Sequence, residues 1–155
     1  MDASTKSCDG PCYQMGPHTY PVPMELFARN RERLLERVKQ RIPHEKYRGG
    51  SYPEKQIIYL QGGEDFHLYC TDVDLEFRQE SYFNWLFGVQ EPGFSGAIEV
   101  QTGVTMLFMP RLPEEYDVWM GKLRTPEDNK KRYGVDLVYY IDERSTSLGT
   151  LSDVD

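Results

Sequence analysis

The chain has 155 residues, enough for one domain with a single sizeable core and short for two. Its 25 acidic side chains outnumber its 18 basic ones, and the net charge of -7 argues against nucleic acid or an anionic membrane as a partner, since both require clustered Lys and Arg. No apolar run approaches the roughly 20 residues needed to cross a bilayer, and the first twenty lack the basic start and apolar stretch of a secretion signal, so a cytoplasmic location is expected.

Eleven Tyr, seven Phe and two Trp supply large apolar surfaces, so the chain is expected to fold despite its many charges. Cys8, Cys12 and Cys70 form an odd set that cannot pair completely within one chain, which fits a reducing compartment better than a disulfide framework. The CDGPC stretch could offer two thiolates to zinc, but no second pair of Cys or His follows at a suitable distance. A solvated tail is the simpler reading.

Residues 1–20 mix Ser, Gly, Pro and Cys without periodicity and read as a flexible leader, with the domain proper at 21–155. From Pro23, Phe27, Leu34, Val38 and Ile42 recur at helical spacing, with Met24 and Leu35 broadening the stripe, so an amphipathic helix is expected to end before Pro43. The apolar run Gln56 to Leu60 and Gln61, closed by Gly62 and Gly63, predicts a buried strand. A second run, Tyr82 to Phe87, stops at Gly88 and leads into Glu91-Pro92-Gly93, which predicts another strand with a turn behind it.

Residues Gly96 to Val100 and Val104 to Met109, joined through Gln101-Thr102-Gly103, predict a β-hairpin with Gly103 at the strained position. The first arm alternates, as for one covered face; the second is apolar throughout, as for a strand buried on both. Glu114 to Met120 predicts a short helix stopping at Gly121. Thr125-Pro126-Glu127-Asp128 is a helix start, because Thr caps, Pro fits the first turn and the acids favour the positive end of the dipole. That helix should reach Tyr133 or Gly134, and Val135 to Ile141 reads as a strand. The order of elements implies an α/β domain with a mixed sheet covered by helices.

His18, His44 and His67 are single and scattered, which favours surface or hydrogen-bonded histidines over ligands. Asp72, Asp74 and Glu76 alternate and could meet a cation, but no loop glycine or later bidentate Glu accompanies them, so solvated turn acids are the simpler account. Trp85, Phe83 and Phe87 read as core or subunit-contact residues, and Arg78 and Glu80 as solvated or locally paired.

Phe77 to Ser81, Leu86-Phe87-Gly88, Glu91-Pro92-Gly93, Leu107 to Pro113 and Trp119-Met120-Gly121-Lys122 form a longer pattern, which Leu60 to Glu64 and Tyr69 to Asp72 extend upstream. In order and spacing these segments resemble the N-terminal domain of the prolidase, aminopeptidase P and creatinase family, over roughly residues 18 to 143.

That resemblance implies a three-layer α/β/α domain with a mixed sheet, non-catalytic in itself. It further implies a C-terminal pita-bread domain, absent from this chain, holding two divalent metal ions, usually manganese, and hydrolysing Xaa-Pro dipeptides with a metal-activated water. The family's ligand set has no counterpart here, so no metal is expected in this chain, which alone should be inactive. In the family this domain supports the homodimer, and a tryptophan matching Trp119 closes over the partner subunit's active site. The rival expectation is a peptide- or histone-binding module of a pita-bread protein that has lost catalysis, since fold does not fix function and an acidic chain attracts basic peptides.

Overall fold

The computed structural model describes residues 10–14, 16, 18–41, 56–116, 118 and 121–150. Strand β1 (Cys12–Tyr13) pairs antiparallel with β2 (Val22–Pro23), and the Met24 amide donates to the Pro11 carbonyl at 3.0 Å. The leader expected to be flexible as far as residue 20 therefore contains paired backbone. Its anchor is Tyr13, whose ring centroid lies 5.9 Å from that of Phe27.

Helix α1 (Glu25–Arg41) follows the predicted stripe: Phe27 and Leu35 are buried, and Leu34 and Val38 partly so. It also buries Asn30 and Arg31, which the apolar periodicity did not anticipate. Strand β3 (Ile57–Gln61) alternates between exposed and half-buried side chains, because among the described residues it pairs with β4 alone. The expectation of a fully buried strand is corrected accordingly.

Residues read as a second strand form helix α2 (Ser81–Phe87) instead. The Glu80 carboxylate accepts from the Phe83 amide at 2.7 Å, and Gly88, at φ 64°, closes the C-terminus in the left-handed region. Phe83, Leu86 and Phe87 then share one buried face while Tyr82 and Trp85 point outward. The aromatic run is thus amphipathic at helical rather than strand period.

The hairpin is present as β4 (Ser95–Glu99) and β5 (Thr105–Met109), with Gly103 at φ 81°. Both arms are wholly buried, so the single covered face expected for the first arm is a correction: β4 lies between β3 and β5 and is packed on both sides. Helix α3 (Pro126–Tyr133) begins at Thr125 with a full capping box to Asp128 and ends at Gly134. Strand β6 (Leu137–Tyr140) then pairs in parallel with β5. The terminal segment continues into helix α4 (Arg144–Thr150).

The main sheet has the order β3-β4-β5-β6, antiparallel except for the last pair. Alternation along its strands divides the core in two. Ile98, Leu107 and Met109 face the helical residues Phe27, Phe83, Phe87 and Tyr133. Ala97, Met106 and Phe108 face the opposite way, against Leu137, Tyr139, Ile141 and Leu148 of α4. The result is the expected three-layer arrangement, with α1, α2 and α3 on one face of the sheet and α4 on the other.

Candidate functional site

The parallel pairing of β5 with β6 forces the chain through the connection 110–136, and a cleft is built against it. It measures about 420 Å³. Pro92 and Phe94 form one wall, Met109, Pro110 and Leu112 a second, and Tyr116 with residues 121–124 the third; Asp65, Glu91, Asn129 and Tyr140 complete it. The lining is mainly apolar with a charged margin.

Glu91 is the best-connected charge in that margin. The Tyr133 hydroxyl donates to its Oε2 and Arg124 Nη1 to its Oε1, while Arg132 Nη2 lies 3.7 Å from Oε1. Burial alone would raise the Glu91 pKa, but the hydrogen bonds from Tyr133 and Arg124, with the charges of Arg132 and Arg124, bring it below the usual value. Tyr133 is pushed upward, first by burial and then by the neighbouring carboxylate. At neutral pH this is a carboxylate held by a neutral phenol and two guanidinium groups.

Backbone position is fixed from behind by Gln79. Its Oε1 accepts from the amides of Gly63 at 2.6 Å and Glu80 at 3.0 Å, and its Nε2 donates to the carbonyls of Val89 and Glu91, both at 3.1 Å. One side chain therefore ties the loop after β3 to the loop carrying Glu91. On the far side, Arg111 donates to Asp142 at 3.0 Å and Glu143 at 2.7 Å and lies 3.7 Å from the Tyr140 ring centroid. These bonds, led by that to Asp142, raise the Arg111 pKa.

Trp119, the site residue expected from sequence, lies outside the described residues, as do Cys8 and His44. The nearest described residues belong to the cleft or lie beside it: Tyr116 and Gly121 line it, and Val118 is exposed. Within Glu114 to Met120 the described backbone includes a single turn of 3-10 helix, Glu114–Tyr116.

Trp85 is 45% exposed and so does not belong to the core, whereas Phe83 and Phe87 do. His18 is exposed, and His67 Nδ1 stands 2.6 Å from Asp74 Oδ1 at the base of a small turn. Among the described residues no three His, Cys, Asp or Glu side chains gather as metal ligands. Cys12 is disulfide-bonded and Cys70 is a free, exposed thiol. The reading of these cysteines as thiols is corrected at Cys12: an odd total requires one thiol left over but does not prevent a bridge.

In the sequence Glu91-Pro92-Gly93 reads only as a turn, and Asn129 and Tyr133 carry no mark beyond their helix. The available signal was slight: a carboxylate set beside Pro and Gly at the end of an aromatic segment.

Helices packed on a mixed four-stranded sheet make this an α/β domain of three layers. The chain belongs to the aminopeptidase P N-terminal domain family, whose model matches residues 27–154. It is 47% identical over 90% of its length to the Xaa-Pro dipeptidase of Homo sapiens and 45% identical over 89% to that of Mus musculus. It spans 27% and 26% of those two proteins. Among solved structures it resembles the aminopeptidase PepP of Pseudomonas aeruginosa, with a TM-score of 0.63, 23% identity, and coverage of 84% of this chain and 26% of that one. It also resembles aminopeptidase P from E. coli, with a TM-score of 0.60, 19% identity, and coverage of 84% and 27%. At these identities the structural likeness speaks for the fold.

Proposed function

We propose that the chain is the non-catalytic N-terminal domain of an Xaa-Pro dipeptidase that works as a homodimer. The observation that carries this reading is the 47% identity to the human Xaa-Pro dipeptidase across 90% of the chain. The described residues do not fit a dinuclear metal site, since no three candidate ligands come together among them. The two divalent ions of the parent, manganese in this reading, are therefore assigned to its C-terminal domain, where they would supply the activated water.

The role left to this chain is contact and closure. Tyr82 and Trp85 on α2, and Phe66, Tyr69 and Val73 around the turn that His67 and Asp74 close, are exposed apolar groups suited to burial against another subunit or domain. Trp119 is assigned to the partner's active site, where a rigid indole covers the Xaa-Pro dipeptide and excludes water at little cost in rotamer entropy.

The test compares Gly-Pro hydrolysis, with manganese added, by this chain, by the full-length protein and by its Trp119→Ala variant. The chain alone should be inactive and the full-length protein active. The variant should lose on the order of tenfold in kcat/KM, with metal content and dimerisation unchanged. Unaltered kinetics would remove the assignment of Trp119. The net charge of -7 favours a second reading, a module that binds basic peptides. A folded, metal-loaded full-length protein without activity would select it.

A further inference from the structure

Two opposite charges face the cleft without meeting a partner. Asp65 and Lys122 both line it, yet among the described residues neither side chain forms a hydrogen bond or an ion pair, with the other or with any third group. The field of Lys122 reaches Asp128, but no ion pair joins them. Both residues are exposed at the margin. The remaining charges of the lining, Glu91 and Arg124, are bound to each other.

The fold holds the two free charges where they are. The Gly62 amide donates to the Phe94 carbonyl at 2.9 Å and the Gly93 amide to the Gly63 carbonyl at 2.8 Å, so the loop that carries Asp65 is fastened to the Phe94 wall. Lys122 precedes Arg124 by two residues, and the bond from Arg124 to Glu91 fastens the crossover to that same wall. Backbone that does not depend on either charge thus sets both on one margin, over an apolar interior of Phe94, Met109 and Leu112. The hydroxyls of Tyr116 and Tyr140 also line the cleft without a hydrogen bond among the described residues, and each can donate or accept.

These features define their complement. A ligand of a single charge would match one of the two side chains and be repelled by the other, whereas a zwitterion answers both. An apolar body on that zwitterion removes the interior wall from water. The volume of about 420 Å³ lies within the range of small-molecule sites.

We infer that this cleft binds a zwitterion with a bulky apolar side chain, of the α-amino acid class, its ammonium directed to Asp65 and its carboxylate to Lys122. The site needs only this chain, so its failure and the failure of the accessory-domain reading are distinguishable. A free amino acid and a short peptide with both ends unblocked present the same chemistry, and the probes separate them.

The intact chain, labelled with nitrogen-15, is titrated with phenylalanine while amide shifts are followed, and then with N-acetylphenylalanine, phenylalaninamide, glycine and the dipeptide Ala-Phe. Phenylalanine should give saturable shifts confined to the segments around Asp65, Phe94, Met109 and residues 121–124. The acetylated and amidated forms each lack one charge and should bind about 3- to 5-fold more weakly, as the loss of one exposed ion pair allows. Glycine should bind roughly 10- to 100-fold more weakly, since it has no side chain to bury. Tighter binding of Ala-Phe than of phenylalanine identifies a short peptide as the ligand, and weaker binding a free amino acid.

Asp65→Asn should erase the preference for phenylalanine over its acetylated form, and Lys122→Gln the preference over its amide, each leaving the other preference in place. Both side chains are exposed, so neither change threatens the fold. Equal affinity for phenylalanine and its two blocked forms, preferences that survive these substitutions, shifts located elsewhere, or no saturable shifts with the chain folded would overturn the assignment.

Discussion

Arg31 Nη2 donates across 3.0 Å to the carbonyl oxygen of Gly134, tying the first helix to the C-cap of the third. Its Nη1 donates at 2.9 Å to the Leu86 carbonyl at the end of α2. One guanidinium thus meets the negative ends of two helix dipoles while stacked 5.6 Å from the Phe87 ring centroid. Burial pulls its pKa down, partly offset by Asp136 and Glu32.

Replacing Arg31 with Met should cost about 2–4 kcal/mol, because two carbonyls lose a charged donor inside the core. Arg31→Lys should restore only part of that, since an ammonium lacks the planar fork that spans both oxygens. Urea unfolding of the three proteins measures this. A Lys variant as stable as the native chain would show that the two carbonyls do not need one rigid donor.

Gly88 and Gly134 share the left-handed conformation, at φ 64° and 57°, but not their surroundings. A Cβ at Gly88 would lie 2.6 Å from Phe27 Cζ, whereas at Gly134 the nearest atom, Met24 Cβ, is 3.9 Å away. Gly134→Ala should therefore cost about 1 kcal/mol from backbone strain alone. Gly88→Ala should cost roughly 2–4 kcal/mol, because the core must also move. Thermal melts of the pair test the ordering, and equal losses would mean that Phe27 yields freely.

The Glu91–Tyr133 pair should shape both ends of the pH–stability curve. The folded Glu91 pKa lies below its ordinary 4.5, so its contribution is complete above that value and is lost as the pH falls through the lowered one. The folded Tyr133 pKa lies above its ordinary 10.0, so its contribution is complete below that value and is lost as the pH rises toward the raised one. Glu91→Gln should flatten the acid limb and Tyr133→Phe the alkaline limb in denaturation midpoints taken across pH. Limbs parallel to those of the native chain would show that other groups govern them.

Gln79→Leu should cost about 2–4 kcal/mol, since it strips partners from four backbone groups with a side chain of nearly the same size. Amide exchange should quicken first at Gly63. Exchange that remains as slow as in the native chain would mean that the loop holds without this tie.

How much of this was legible follows from where each signal resides. The α3 helix could be read because Thr125, Pro126 and Asp128 act on their own backbone, and the hairpin because Gly103 does so in its turn. The α2 helix is not legible because its residues 82–87 form one apolar run, and the helical period shows only when Tyr82 and Trp85 are known to be exposed. The full burial of β4 depended on being flanked by β3 and β5, a property of the assembled sheet. Arg31 and Asn129 were illegible for a related reason: a polar residue in a helix carries no local mark of whether its partner is solvent, a distant carbonyl or nothing.

The parallel pairing of β5 and β6 has a consequence for the order of assembly. The β4–β5 hairpin closes through a short turn, but β6 can join only after the connection 110–136 has folded back, and the entropy of that longer closure comes before any reward from pairing. The cleft draws its residues from both ends of that connection. The cleft should therefore form after the hairpin, and a substitution that slows the return of β6 should delay the site while leaving the β4–β5 pairing unaffected.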